Sequence, residues 1–156
     1  MTIAATLQKY LSDCGIRYDV VEHPRTVSSS RTAQAGHVPG DRLAKAVVLK
    51  SEGGYTMAVV PASRHIRLGE VQDYLRQPVG LATEAEVGQL FGDCDLGAIP
   101  PVGRAYGLPV IVDDSFDGQP EIYFEAGDHQ NLIHVDAPAF KRLMAEARHG
   151  SFSRHD

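Results

Sequence analysis

The sequence predicts an α+β domain built on a mixed sheet. Two dense β-branched runs, Ala46-Val47-Val48-Leu49 and Thr56-Met57-Ala58-Val59-Val60, flank a Glu52-Gly53-Gly54 turn and read as a hairpin. Further short apolar runs are scattered among amphipathic helical stretches. Strands and helices do not alternate regularly, which argues against a parallel doubly wound sheet. At 156 residues the chain has the size of one domain. Its 43% apolar and 22% charged residues are the composition of a globular chain with its own core. No repeat, linker or low-complexity stretch interrupts it. One domain is therefore expected over residues 1–148, with residues 149–156 as a flexible C-terminal tail.

Each element has a local cause. Ile3, Leu7, Tyr10, Leu11 and Cys14 recur at helical spacing and Gly15 follows as a stop, which predicts a helix over residues 3–14. Ile16 to Glu22 alternates like a strand and ends at His23-Pro24. Ser28 to Ala35 reads as a short helix closed by Gly36, with the serines as its N-cap. After the hairpin, Leu68, Val71, Tyr74 and Leu75 mark another helix, and Val79 to Ala82 a short strand. Thr83-Glu84-Ala85-Glu86 is a capping box that opens a helix running to Phe91, and Gly92 stops it. Strands are expected at Val110–Asp113, Glu121–Glu125 and Leu132–Val135. Asp136 and Pro138 start a last helix that presents Phe140, Leu143, Met144 and Ala147 on one face.

Composition bounds the chemistry. The net charge of −5 is unevenly placed: residues 1–76 carry ten Lys/Arg against seven Asp/Glu, residues 77–156 five against thirteen. That asymmetry permits a local basic face on an acidic protein, and equally permits unrelated solvated faces. Cys14 and Cys94 are far apart, the N-terminus has neither a basic nor an apolar leader segment, and no apolar run could span a membrane. A reducing cytoplasm is the expected location. No P-loop, GxSxG elbow, HExxH or EF-hand loop is present. The seven histidines lack clustered Cys or carboxylate partners at metal-ligand spacing, so neither metal nor cofactor is expected.

Three places stand out. Lys45 opens the apolar run Ala46-Val47-Val48-Leu49, where a lysine is either a snorkelling edge residue or an anion contact. Gly97-Ala98-Ile99-Pro100-Pro101-Val102-Gly103 is either a rigid turn or a backbone wall that a ligand can approach closely. Gly127-Asp128-His129 follows the strand Glu121–Glu125 and is either a polar turn or part of a site.

In this order and at these separations, the three places resemble the YbaK/EbsC family, free-standing relatives of the editing domain inserted in bacterial prolyl-tRNA synthetases. The resemblance runs from the N-terminal helix through Leu43-Ala44-Lys45-Ala46-Val47-Val48-Leu49 and Gly97 to Gly103. It continues through Leu108-Pro109-Val110-Ile111-Val112-Asp113 and Ala126-Gly127-Asp128-His129. It implies a compact, partly barrel-like mixed sheet surrounded by helices. It also implies a trans-editing deacylase that hydrolyses the ester of a mischarged tRNA without a metal.

Carried over residue by residue, the resemblance assigns catalytic roles to Lys45, Gly97 and His129. Lys45 matches a lysine that contacts the backbone or ribose of the terminal adenosine. Gly97 and Pro100 match a GxxxP-like loop lining the aminoacyl pocket, although the spacing here is Gly-x-x-Pro followed by Pro101. Ala98, Ile99, Pro100, Pro101, Gly127 and Asp128 are then substrate-binding. His129 matches the prolyl-synthetase-like branch, which favours a small amino acid such as Ala on tRNA-Pro, with Cys as the second candidate. The tRNA acceptor end is the implied partner, docking on Arg25, Arg31, Arg42 and Lys50, and a tRNA synthetase is a candidate second partner. The alternative is a non-catalytic module on the same fold that holds tRNA or a synthetase.

Overall fold

A computed structural model describes residues 3–24 and 38–155. The helix expected over residues 28–35 lies outside them. Helix α1 (Ala5–Asp13) buries Leu7 and Leu11. It stops in a Schellman motif: the Gly15 N–H bonds Ser12 O and the Ile16 N–H bonds Leu11 O, each at 3.0 Å, with Gly15 at φ +64°. Ile16 therefore belongs to the helix stop, and strand β1 is confined to Asp19–Glu22 rather than beginning at residue 16.

The hairpin is longer than its apolar runs. Strand β2 (Leu43–Ser51) pairs antiparallel with β3 (Gly54–Pro61) from Ala44↔Pro61 to Ser51↔Gly54. After it come β4 (His65–Ile66), α2 (Leu68–Leu75), β5 (Gly80–Leu81) and α3 (Glu84–Leu90). Thr83 caps α3 as expected: its side chain accepts from the Glu86 N–H, and the Glu86 carboxylate accepts from the Thr83 N–H. Strands β6 (Val110–Asp113), β7 (Glu121–Glu125) and β8 (Asn131–Asp136) and helix α4 (Ala137–Leu143) complete the expected series. Helix α4 ends four residues before Ala147, in turns at Met144–Ala147.

The main sheet runs β1-β8-β7-β2-β3-β6-β9, where β9 is Arg148–Gly150, with β5 branching from β2. Pairing is mixed: β2 with β7, β3 with β6 and β6 with β9 are parallel, the other pairs of this sheet antiparallel. Both faces of its centre are covered. Met57 and Val59 of β3, with Val110 and Val112 of β6, join the cluster containing Leu7, Leu11, Phe91, Phe124 and Phe140. The alternating residues Ala58, Val60 and Ile111 join Val71 and Phe152 on the other side. Two-sided burial is why these strands read as unbroken apolar runs instead of alternating ones.

The segment expected to be a loose tail is built into the fold. Strand β9 (Arg148–Gly150) pairs parallel with β6, and β10 (Ser153–Arg154) pairs antiparallel with β4. Phe152 is fully buried, and its N–H donates to Asp113 Oδ1 at 2.9 Å. Gly150 lets the Tyr74 ring lie where a side chain would collide, since a Cβ there would sit 2.5 Å from the ring. One apolar anchor and one glycine order a stretch whose other residues are polar.

Candidate active site

A cleft opens where β2 loses its neighbours. The start of β2 pairs with β7 at Leu43↔Tyr123 and Ala44↔Phe124, and its end pairs with β5 at Leu49↔Leu81 and Lys50↔Gly80. Between them the two partners diverge. The Val48 carbonyl accepts from the Ala82 N–H at 3.0 Å across this edge. By strand alternation, Ala46 turns its N–H and C=O to the same edge, inside the split. The resulting cavity of about 280 Å³ is lined by Lys45, Ala46, Val48, Ala82, Glu84, Val87, Leu96, Gly97, Ile99 and Glu125.

Three of the residues singled out in the sequence meet here. Lys45 is half-buried and stands on the opposite face of β2 from Ala46 and Val48, so the cleft wraps around the split. Gly97 lies across from it at φ +83°, a left-handed conformation that suits glycine. Ile99 adds an apolar wall, while Ala98, Pro100 and Pro101 are buried and outside the lining.

Gly127, Asp128 and His129 form a buried brace behind the Gly97 loop, outside the cleft lining. Gly127, at φ +105°, accepts from the Asp95 N–H at 2.8 Å, and a Cβ there would meet Ala4 at 3.0 Å. Asp128 Oδ1 accepts from the backbone N–H groups of Gln130 and Asn131, and its Oδ2 accepts from the Asn131 amide at 2.5 Å. His129 is 7% exposed and sits at φ +61°. Its Nε2 lies 2.5 Å from Leu96 O; a carbonyl only accepts, so that nitrogen carries the proton. Its Nδ1 is buried with no hydrogen-bond partner among the described residues.

The expected docking cations are spread out. Arg42 precedes β2 and bonds Gln119 Oε1 at 3.0 Å and Glu121 Oε2 at 3.1 Å. Lys50, near the far end of β2, is 2.6 Å from Glu86 Oε2. Eight residues of strand separate them by about 26 Å, with the cleft between. Lys50, with help from the Thr83 backbone and Tyr55, holds the Glu86 carboxyl down at about 2. Arg25 and Arg31 lie outside the described residues.

Cys94 is close to the cleft rim, yet its thiol is pushed up to about 12, chiefly by burial and further by Asp93. It stays a thiol and bonds the Tyr106 hydroxyl at 3.2 Å. Among the described residues, no group of three or more His, Cys, Asp or Glu is placed to hold a metal ion, and no helix is long and apolar enough to cross a membrane.

Glu125 was not singled out in the sequence. It ends β7, one step beyond the last β2–β7 pair, and is 5% exposed in the cleft wall. His23 lies behind it, with Nε2 3.5 Å from Glu125 Oε1. The only sequence signal was a carboxylate at the end of the otherwise apolar Ile122-Tyr123-Phe124 run, which also reads as a solvated strand end.

The aminoacyl-tRNA editing domain family, by its sequence model, matches residues 23–143. A crystal structure of a candidate trans-editing enzyme for prolyl-tRNA synthetase is similar at a TM-score of 0.85 and 27% identity, over 97% of this chain and 96% of that one. A scaffold used for computational epitope backbone grafting is similar at 0.85 and 26%, over 97% of each chain. A hypothetical protein shares the fold at 0.83 and 18% identity, over 96% of this chain and 99% of that one. No curated protein matches the chain.

Proposed function

Because the chain belongs to the aminoacyl-tRNA editing domain family, we propose that its cleft hydrolyses the ester of a mischarged tRNA carrying a small amino acid. Alanine on tRNA-Pro is the first candidate and cysteine the second. The observation that carries this reading is the split in the sheet, where Lys45, Gly97 and the open backbone edge of Ala46 face one small cavity. Its volume of about 280 Å³ lies just below the usual range of ligand pockets, roughly 300–1,000 Å³, which favours a short side chain. A synthetase pocket discriminates against one missing methylene by only about 1–3 kcal/mol, so a second sieve of this size has work to do.

The chemistry asks little of the protein. An aminoacyl ester is already activated, so positioning water and polarising the carbonyl can suffice. Water oxygen bonds the carbonyl carbon, the ester C–O bond breaks, and the ribose oxygen leaves with a proton. In this reading Lys45 holds the phosphate or ribose end of the terminal adenosine. The backbone around Gly97 approaches the carbonyl where a side chain would stand in the way. His129 acts through the loop it braces, and a ribose hydroxyl helps to orient the water. The burial of His129, away from the cleft lining, supports a positioning role over that of a base. The mechanism uses no metal, and tRNA approaches over the basic residues that flank β2.

The test is a panel of mischarged tRNAs incubated with the purified protein while loss of labelled amino acid is followed. Fast loss from one small-residue species is the expected result. Protection without turnover would point instead to a non-catalytic binding module, and inertness toward every species would overturn the tRNA reading.

A further inference from the structure

Glu125 and Lys45 place opposite charges side by side in the wall of the cleft. Ala44 pairs with Phe124 in the parallel β2–β7 ladder, so the next step along both strands sets Lys45 beside Glu125 where the ladder ends. Their side chains leave the same face of the sheet, and both line the cavity. The Glu125 side chain is 6% exposed, and the carboxylate of a residue so enclosed requires cationic or hydrogen-bonding company.

Behind it stands His23, whose side chain is fully buried. The ring's Nδ1 lies 2.7 Å from Pro24 O, an acceptor, so Nδ1 donates, and Nε2 is the atom turned toward Glu125, with which it forms an ion pair when the ring carries its second proton. The His23 N–H is itself tied to Gln130 O at 2.8 Å. Glu125 is thus backed by a ring fixed at both its backbone and its far nitrogen, and it lines the cleft beside Lys45.

An aminoacyl-adenosine end is zwitterionic at close range: an α-ammonium on the acyl group and phosphodiester charge on the nucleotide side. A wall with a carboxylate beside an ammonium is complementary to it. We propose that Glu125, oriented by His23, binds the α-ammonium of the aminoacyl group, so that the cleft selects free aminoacyl esters over esters lacking that charge. This rests on the deacylase reading above and assigns the subsite within it.

The test compares alanyl-tRNA with lactyl-tRNA, its near-isostere bearing a hydroxyl in place of the ammonium. Each single-turnover rate is divided by the spontaneous hydrolysis rate of the same ester. The wild-type protein is expected to prefer alanyl-tRNA by roughly 10–10²-fold, the worth of a hydrogen bond to a charged group. Glu125→Gln keeps the shape and is expected to collapse that preference toward unity by slowing alanyl-tRNA alone. His23→Gln is expected to erode it partway. Equal rates on both esters by the wild type overturn the proposal without any variant. So does an equal loss on both esters in Glu125→Gln with an unchanged preference, which would mark a structural carboxylate. No turnover of any charged tRNA by the wild type would overturn the deacylase reading itself, and the proposal with it.

Discussion

The Nε2–H of His129 donates to the carbonyl oxygen of Leu96 at 2.5 Å, tying the turn after β7 to the loop that carries Gly97. The tether joins two of the residues singled out in the sequence, His129 and Gly97, through the backbone of a third. His129→Ala should therefore loosen the loop and slow deacylation by about tenfold or less. A general base is typically worth about 10²–10⁴, with a pH limb of its own. Rates against pH for both proteins decide between these roles. The φ of +61° adds a stability signature: His129→Gly should be more stable than His129→Ala by about 1 kcal/mol in chemical unfolding, because alanine resists the left-handed conformation.

Lys45→Ala should reduce single-turnover deacylation by roughly 10²-fold or more, the scale for removing one preorganised electrostatic contact. Its melting temperature should stay within a few degrees of wild type, because the residue is only half-buried. Lys45→Arg should recover part of the rate, since a planar fork does not reproduce a compact ammonium. Joint loss of activity and melting temperature would make the residue structural.

Lys50 spends its charge within the protein, 2.6 Å from Glu86. A charge already paired contributes less to phosphate binding than a free one. Glu86→Gln keeps the capping arrangement, because glutamine also serves at that position. It should strengthen tRNA binding and steepen its salt dependence by about one charge. Titrations at several salt concentrations check this; an unchanged slope would place Lys50 away from the docked tRNA.

His134 joins two strands through its ring, with Nδ1 3.1 Å from Asp19 in β1 and Nε2 2.7 Å from Glu121 in β7. Burial lowers its pKa, but hydrogen bonds to the two carboxylates outweigh that, and it is raised above the ordinary 6.5. The stabilisation is fully present below 6.5 and is lost as the pH climbs through the raised folded value. His134→Gln should therefore destabilise by about 0.2–1 kcal/mol at mildly acidic pH. The gap should close in the alkaline range. Thermal unfolding across pH reads it directly, and a gap that widens with pH would reverse the assignment.

What the sequence made legible is what local chemistry decides. The β2–β3 hairpin, the Thr83–Glu86 capping box and the Gly15 stop are each written within a few residues, and each stands where expected. Gly97 and Lys45 stood out because a loop with two prolines between two glycines and a lysine at an apolar strand break local rules. Glu125 breaks none. Its place depends on β7 meeting β2, and on His23 arriving from about a hundred residues away. Strands β9 and β10 were missed for the same reason: their residues carry no β signal, and only Phe152 and the edges of β6 and β4 order them.

The placement of β9 and β10 has a consequence for how the chain acquires its structure during translation. Residues 148–150 complete the edge beyond β6, and residues 153–154 close onto residues 65–66. While the ribosome is still making the stretch between them, the groove that Phe152 later fills stays open and the β6 edge unpaired. Contacts of such long sequence separation form slowly, because loop closure precedes any reward. The nascent chain should therefore be most vulnerable to proteases and to edge-to-edge association in the interval before residues 148–154 emerge, after which β9 covers the β6 edge and the Phe152 ring fills the groove beside it.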